Sequence, residues 1–267
     1  MTPIRQLVCR GLVAGALEAG KMSALGAMTE RVPTILQTDR ILDLVAIGQR
    51  ADPGVPLLIR GEPGAGKDIL ARLLHAASAR QPHSFIKVNC GVERVGRCEA
   101  DLFGHEKEAT PLSIRRRLGS FEFANHGTIY LDEIAALPCA LVPKLVHLLR
   151  TGEVSRTGGR EIIRLDVRVI ASTRNGGESG GSDYLWQELQ RLNVVEIFIP
   201  PLRQRTEEIP LFASFFLEQF NQRYRRDVQL SPEALASFMT HSWPGNIREL
   251  EEAVQRLVVG GAISLAH

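Results

Sequence analysis

The chain has 267 residues, of which 44% are hydrophobic and 23% charged, and a net charge of +2. This composition disfavours disordered, collagen-like and disulfide-stapled proteins, and the near-neutral charge gives no general reason to expect a nucleic-acid or anionic-membrane partner. No apolar run approaches the roughly 20 residues of a membrane span, and the four cysteines lack CxxC or metal-site spacing. We therefore expect a folded cytoplasmic protein with reduced thiols.

Short aliphatic runs alternate with longer helical patterns through the first two thirds of the chain. The runs cover residues 57–60, 85–89, 128–131, 167–171 and 194–199. Alternation of this kind predicts an α/β fold with a parallel sheet and crossover helices.

The domain organisation is marked by Pro200 and Pro201, since a proline pair resists both helix and central strand. Beyond them the strands stop, and apolar residues at three- and four-residue spacing predict three helices at about 206–224, 232–241 and 246–258. The sequence thus predicts a poorly specified leader, an α/β subdomain, an all-helical subdomain and a short tail, at 1–30, 31–201, 202–260 and 261–267.

A glycine-rich run that ends in lysine lies between a predicted strand and a predicted helix. Its residues are Gly61, Glu62, Pro63, Gly64, Ala65, Gly66, Lys67 and Asp68. The strand at 57–60 precedes it and a helix predicted at 68–79 follows, so backbone amides and the helix N-terminus can converge on a triphosphate while Lys67 supplies a charge. This predicts a P-loop, with a plain glycine-rich turn as the alternative. Asp68 stands where a P-loop usually has Ser or Thr to ligate magnesium.

Two carboxylates follow the predicted strand at 128–131, at the edge where open α/β sheets bind ligands. Taken alone, Asp132 and Glu133 also fit a helix N-cap. Coupled to a P-loop, they predict a Walker B pair, in which Asp132 holds hydrated magnesium and Glu133 orients the attacking water.

Two further polar residues end predicted strands. Asn89 is a candidate for restraining Glu133, and Thr173 is a candidate for reading the γ-phosphate. Each also fits a strand-end cap, so the residues alone leave both alternatives open.

Together these blocks resemble the AAA+ domain of sigma-54-dependent transcriptional activators, the bacterial enhancer-binding proteins. The resemblance covers about residues 34–260. Besides the P-loop it rests on six blocks, FIKVNC at 85–90, DLFGHEK at 101–107, GSFEFANHGTIYLDEI at 119–134, GEVSRTGGREIIRLDVRVIAST at 152–173, RLNVVEIFIPPLRQR at 191–205 and WPGNIREL at 243–250. It implies an AAA+ P-loop NTPase, a parallel sheet sandwiched by helices and followed by a small helical lid. The family carries Glu after the P-loop lysine, so Asp68 is a mild variation.

The resemblance implies ATP and Mg²⁺ as cofactors and assigns roles to several positions. Lys67 would bind phosphate, Asp132 and Glu133 would form Walker B, and Asn89 would be the switch partner of Glu133. Thr173 would be sensor I.

Three arginines also match family positions. Arg248 would be the sensor II arginine that reaches the nucleotide from the lid, and Arg156 lies in the pre-sensor loop. Arg191 matches the second of two arginines that reach the neighbouring subunit, and a solvated surface arginine is its alternative.

The sequence also departs from the family pattern. Family members normally carry GAFTGA after FGHEK, whereas residues 108–113 read EATPLS, which retains only the alanine and introduces Pro111. The stretch 184–188 lacks the first trans arginine, and Arg174 replaces the usual Asn or His after sensor I. No helix-turn-helix pattern follows Arg248, so we expect no DNA-binding domain in this chain.

Two functions remain open. The first is an ATP-binding AAA+ domain of bacterial transcription regulation that self-associates into a ring, expected to be a hexamer, and hydrolyses ATP. The second is a degenerate ATP-binding subunit that joins rings of an intact paralogue and modulates it, since the altered loop argues against contact with sigma-54 RNA polymerase.

Overall fold

The computed structural model describes residues 38–91, 95–107, 116–174 and 183–260. The predicted leader at 1–30, the tail at 261–267 and the loop positions 108–113 lie outside these residues. Within the described ranges, no helix is both long enough and apolar enough to cross a membrane.

The centre of the molecule is a five-stranded sheet in which all neighbouring strands run parallel. Its strands are β1 Leu57–Arg60, β2 Phe85–Asn89, β3 Thr128–Asp132, β6 Arg168–Thr173 and β7 Val195–Phe198. The order across the sheet is β2-β3-β6-β1-β7. The predicted parallel α/β sheet is confirmed, and each predicted run lies within two residues of a strand.

Helices cover the sheet, and a short antiparallel hairpin stands beside it. The hairpin consists of β4 Glu153–Val154 and β5 Ile163–Arg164. The helices of this part are α1 Asp39–Arg50, α2 Lys67–Ala76, α3 Val95–Phe103, α4 Ser120–Phe123, α5 Val142–Thr151 and α6 Asp183–Arg191.

The central strands are buried on both faces, as expected for a parallel sheet between two helical layers. Every residue of β6 is buried, and so are the first four of β3. One face packs with Phe103, Phe121 and Leu145, and the other packs with Val45 and Leu70.

After Pro200 the described chain is helical, and the three predicted helices are present. They are α7 Ile209–Tyr224, α8 Pro232–Thr240 and α9 Asn246–Gly260. Short 3₁₀ turns at Leu202–Gln204 and Thr206–Glu208 precede α7.

Trp243 lies at the centre of the C-terminal core, which also contains Phe212, Phe238 and Leu250. Its side chain is fully buried, its ring meets that of Phe238 edge to face, and its Nε1 donates to the Phe238 carbonyl at 2.7 Å. A buried indole that satisfies its N–H in this way fixes the chain just before α9.

Replacing Trp243 with alanine should lower the free energy of unfolding by about 3–5 kcal/mol, because it leaves a large cavity and an unpaired carbonyl. Urea unfolding measures this change. Met239→Ala is the control, since Met239 is 37% exposed on the neighbouring helix, and it should cost less than about 1 kcal/mol. Equal losses in the two variants would contradict the central role of Trp243.

Candidate functional site

A cavity of about 420 Å³ opens where the carboxyl ends of the strands meet the P-loop. It lies at the edge that parallel α/β sheets use for ligands. The residues that line it come from the P-loop, from the ends of β2 and β3, from the residue after β6 and from α9. The polar ones among them are Lys67, Asp68, Lys87, Asn89, Tyr130, Asp132, Glu133, Arg174, Arg248 and Glu251.

The glycine-rich run forms a tight turn that leads directly into α2. Gly64 and Gly66 have φ values of 74° and 98°, which glycine adopts without a steric cost. The turn also lies against the C-terminal helical part, because a Cβ at Gly64 would stand 2.2 Å from the carbonyl oxygen of Gly245. The amide of Ile247 donates to the Gly64 carbonyl at 3.0 Å. The predicted strand, turn and helix are therefore present, with the helix beginning at Lys67.

The ammonium group of Lys67 is held inside this turn. Its side chain is 7% exposed, and Nζ donates to the carbonyl oxygens of Gly61 and Glu62 at 2.8 and 3.3 Å. Glu133 Oε1 lies 3.7 Å from the same nitrogen. Burial lowers the pKa of Lys67, while Glu133 and Asp132 oppose that shift.

Asp132 is the last residue of β3, and hydrogen-bond donors surround its carboxylate. Its Oδ1 accepts hydrogen bonds from Ser172 Oγ at 2.7 Å and from the Tyr130 hydroxyl at 3.1 Å. Burial raises the pKa of Asp132, but the Ser172 hydrogen bond and the Lys87 charge outweigh it, and the net pKa lies below its ordinary value. Asp132 is thus held as a carboxylate.

Glu133 has a left-handed backbone, with φ of 55°, and its amide donates to Ser172 Oγ at 3.3 Å. A non-glycine residue in this region is uncommon and is typical of functional sites. Its Oε2 lies 3.3 Å from Nε of Arg174. Glu133 therefore contacts two cations, Lys67 and Arg174, and the sequence predicts neither pairing.

Asn89 and Thr173 end β2 and β6 as predicted. Asn89 lines the cavity, and its Oδ1 accepts from the amide of Gly91 at 2.9 Å. Thr173 is buried, and its carbonyl accepts from the amide of Gly61 at 3.3 Å, which joins β6 to the start of the P-loop. Their roles as switch partner and sensor stay predictions.

The helical part contacts the P-loop through residues that sequence reasoning missed. Asn246 Nδ2 donates to Glu62 Oε2 and to the Pro63 carbonyl, each at 3.1 Å. Arg203 forms two hydrogen bonds with the Glu62 carboxylate, at 2.6 and 2.8 Å. The hydrogen bond from Arg203 is the largest influence on Glu62 and lowers its pKa to about 2. Arg205, whose side chain is fully buried, donates to the Ala65 carbonyl at 2.6 Å.

The three predicted arginines occupy different environments. Arg248 lies on α9 and lines the cavity. Arg156 is buried against the carboxylates of Glu106 and Glu122. Arg191 ends α6, where it is 64% exposed and paired with Glu188 of its own helix.

Lys87 is a further residue of the cavity that the sequence motifs do not mark. Its Nζ lies 3.1 Å from Asp68 Oδ1 and 3.3 Å from Asp132 Oδ2. Alternation along β2 places residues 85, 87 and 89 on one face, so the position of Asn89 was a signal that Lys87 faces the same cavity.

Comparison with known families covers most of the chain. Residues 35–198 match the family described as the sigma-54 interaction domain. Residues 203–264 match the family described as the AAA+ ATPase lid domain.

Among curated proteins, the regulatory protein AtoC of Escherichia coli (strain K12) is 42% identical over 206 residues, which is 76% of this chain and 45% of AtoC. The C4-dicarboxylate transport transcriptional regulatory protein DctD of Rhizobium meliloti (strain 1021) is 37% identical over 241 residues, which is 89% of this chain and 52% of DctD. The chain thus spans about half the length of these relatives.

Solved structures of NtrX from Brucella abortus share the fold. The complex with ADP is 32% identical with a TM-score of 0.72, covering 85% of this chain and 51% of NtrX. The complex with ATP is 29% identical with a TM-score of 0.69, covering 94% of this chain and 55% of NtrX. With a parallel sheet, a P-loop and a helical lid, this chain belongs to the sigma-54 interaction domain family of AAA+ proteins.

Proposed function

We propose that the chain binds ATP in the cavity at the carboxyl edge of the sheet and hydrolyses it as a domain acting in bacterial transcription regulation. The observation that carries the proposal is the convergence of Lys67, Asp132 and Glu133 on one cavity beside a glycine turn. In this account residues 31–201 form the ATP-binding subdomain and residues 202–260 form the lid.

The triphosphate would replace the internal partners of Lys67. Its ammonium group now donates to the carbonyls of Gly61 and Glu62, which are neutral acceptors, and lies 3.7 Å from Glu133 Oε1. Phosphate oxygens are anionic and bind ammonium groups more strongly than carbonyls do. The amides that open α2 add donors at the positive end of the helix dipole.

Two carboxylates beside the cavity are of the kind that binds Mg²⁺, but an ammonium group lies between them. Asp132 and Asp68 supply carboxylate oxygens, which Mg²⁺ prefers, but Lys87 Nζ lies 3.3 Å from Asp132 Oδ2 and 3.1 Å from Asp68 Oδ1. Within the described residues no group of three or more His, Cys, Asp and Glu side chains could hold a metal. An ion would therefore depend on the phosphates for further ligands and would compete with Lys87 for these two carboxylates. When bound, the ion would neutralise charge on the β- and γ-phosphates.

Hydrolysis would depend on Glu133 leaving its present cations. A carboxylate that pairs with Lys67 and Arg174 is poorly placed to accept a proton from water. An incoming γ-phosphate competes for both cations, because it carries more charge than the carboxylate. Nucleotide binding would then free Glu133 to orient water, with Arg191 of a neighbouring subunit completing the site in a ring.

The ion pair between Glu133 and Arg174 also favours a second function. If Arg174 stays paired with the Glu133 carboxylate when nucleotide is bound, the chain binds ATP without hydrolysing it. It would then be a degenerate subunit that modulates an intact paralogue without contacting sigma-54, in line with the sequence EATPLS at residues 108–113. Steady-state ATP turnover separates the two functions.

Lys67→Ala should weaken ATP binding at least about tenfold, because it removes a cation whose charged hydrogen bonds are worth roughly 1.5–3 kcal/mol. Fluorescent-ATP titration measures the effect. Lys144→Ala is the matched control, since Lys144 is a partly buried ammonium group paired with Glu99 and does not line the cavity. Unchanged affinity in a folded Lys67→Ala protein would refute the P-loop assignment.

Glu133→Gln should keep ATP affinity within about threefold and lower turnover by roughly 10²–10⁴, because an amide cannot accept a proton from water. Glu153→Gln is the control, since Glu153 pairs with Arg164 on the hairpin in the way that Glu133 pairs with Arg174. Equal turnover in the wild type and Glu133→Gln would contradict the role of Glu133. No measurable turnover in the wild type, with ATP bound, would favour the degenerate subunit.

A further inference from the structure

Lys87 stands between the two carboxylates that are best placed to hold a divalent cation. Its Nζ lies 3.1 Å from Asp68 Oδ1 and 3.3 Å from Asp132 Oδ2. Its side chain extends past the Tyr130 ring, with Nζ 5.5 Å from the ring centroid. One ammonium group thus joins α2 to the end of β3.

The carboxylate oxygens of Asp132 and Asp68 have few acceptor positions left for a metal ion. Both lone-pair directions of Asp132 Oδ1 are used by the hydroxyls of Ser172 and Tyr130. Asp68 Oδ1 is a buried atom that lies 3.1 Å from the Lys87 ammonium group, while Arg72 pairs with the other oxygen of this carboxylate, Oδ2, at 3.4 Å. A buried carboxylate oxygen needs such a counter-charge. An ion that bound here would have to displace Lys87 or lie close to a second cation.

We propose that Lys87 is a built-in cation that takes the position of the divalent metal in this nucleotide site, so that the chain binds ATP without Mg²⁺. The proposal rests on the ATP binding proposed above. A lysine ammonium group is a compact charge with three donors, so it can contact both carboxylates and still meet a phosphate oxygen.

Charge balance supports this assignment. The described residues that line the cavity include four basic and four acidic side chains, namely Lys67, Lys87, Arg174 and Arg248 against Asp68, Asp132, Glu133 and Glu251. Without Lys87 the charged side chains of the same lining would carry one net negative charge, which disfavours a triphosphate that arrives without a metal ion. With Lys87 the carboxylates are already compensated.

The test compares ATP affinity in excess Mg²⁺ and in excess EDTA, using the full chain and a fluorescent ATP analogue. Lys87→Met removes the charge and keeps an unbranched apolar side chain over Tyr130. Lys144→Met is a closely matched control, because Lys144 also pairs with a carboxylate, Glu99 at 3.0 Å, and lies over an aromatic ring, that of Phe103 at 4.8 Å.

The wild type and Lys144→Met should bind ATP with affinities in the two buffers that agree within about threefold. Lys87→Met should bind about tenfold more weakly in EDTA and recover in Mg²⁺, since one charged contact is lost and the ion can restore it. In the ATP complex, Lys87→Met should also hold Mn²⁺ about tenfold more tightly by electron paramagnetic resonance, because a competing cation is gone.

Two results would overturn the inference and leave the proposed function standing. They are wild-type binding in Mg²⁺ that disappears in EDTA, and equal metal dependence in the wild type and Lys87→Met. A wild type that binds ATP in neither buffer would overturn the proposed function, and this inference with it.

Discussion

Parallel pairing of β3 with β6 and of β6 with β1 is the constraint on which the site depends. It brings the ends of these strands to one edge, where Asp132, Thr173 and the start of the P-loop become neighbours. The amide of Gly61 donates to the Thr173 carbonyl, so the P-loop begins as a continuation of the pairing between β1 and β6. Strand pairing therefore brings residues far apart in sequence together at this edge.

The same edge gathers opposite charges in one small cavity. Lys67 and Arg174 contact Glu133, while Lys87 contacts Asp132 and Asp68. Each carboxylate is thus paired with a cation of its own chain. A triphosphate adds several negative charges to this balanced set and would compete for the cations. In the proposed function, this exchange of partners would link nucleotide binding to the release of Glu133 from its two cations.

Much of the fold could be predicted from the sequence because aliphatic runs bounded by turns mark the five strands, and the glycine run could be predicted because its spacing is specific. The ion pairs and hydrogen bonds inside the cavity could not be predicted from the sequence. Arg174 reaches Glu133 only once β3 and β6 lie side by side, and Asn246 reaches Glu62 only once the lid lies on the P-loop. The position of Lys87 in the cavity could have been predicted, because strand alternation places Lys87 and Asn89 on the same face of β2. The short hairpin β4–β5 has too few residues for a pattern to show.

The central claim is that this edge is an ATP site whose carboxylates are compensated by cations of the chain itself. A crystal structure of the full chain with a non-hydrolysable ATP analogue, grown in EDTA, tests it most directly. The account predicts the triphosphate on the amides of residues 64–68, with Lys87 still between Asp68 and Asp132. An analogue bound elsewhere, or a Lys87 side chain turned away from both carboxylates, would contradict it.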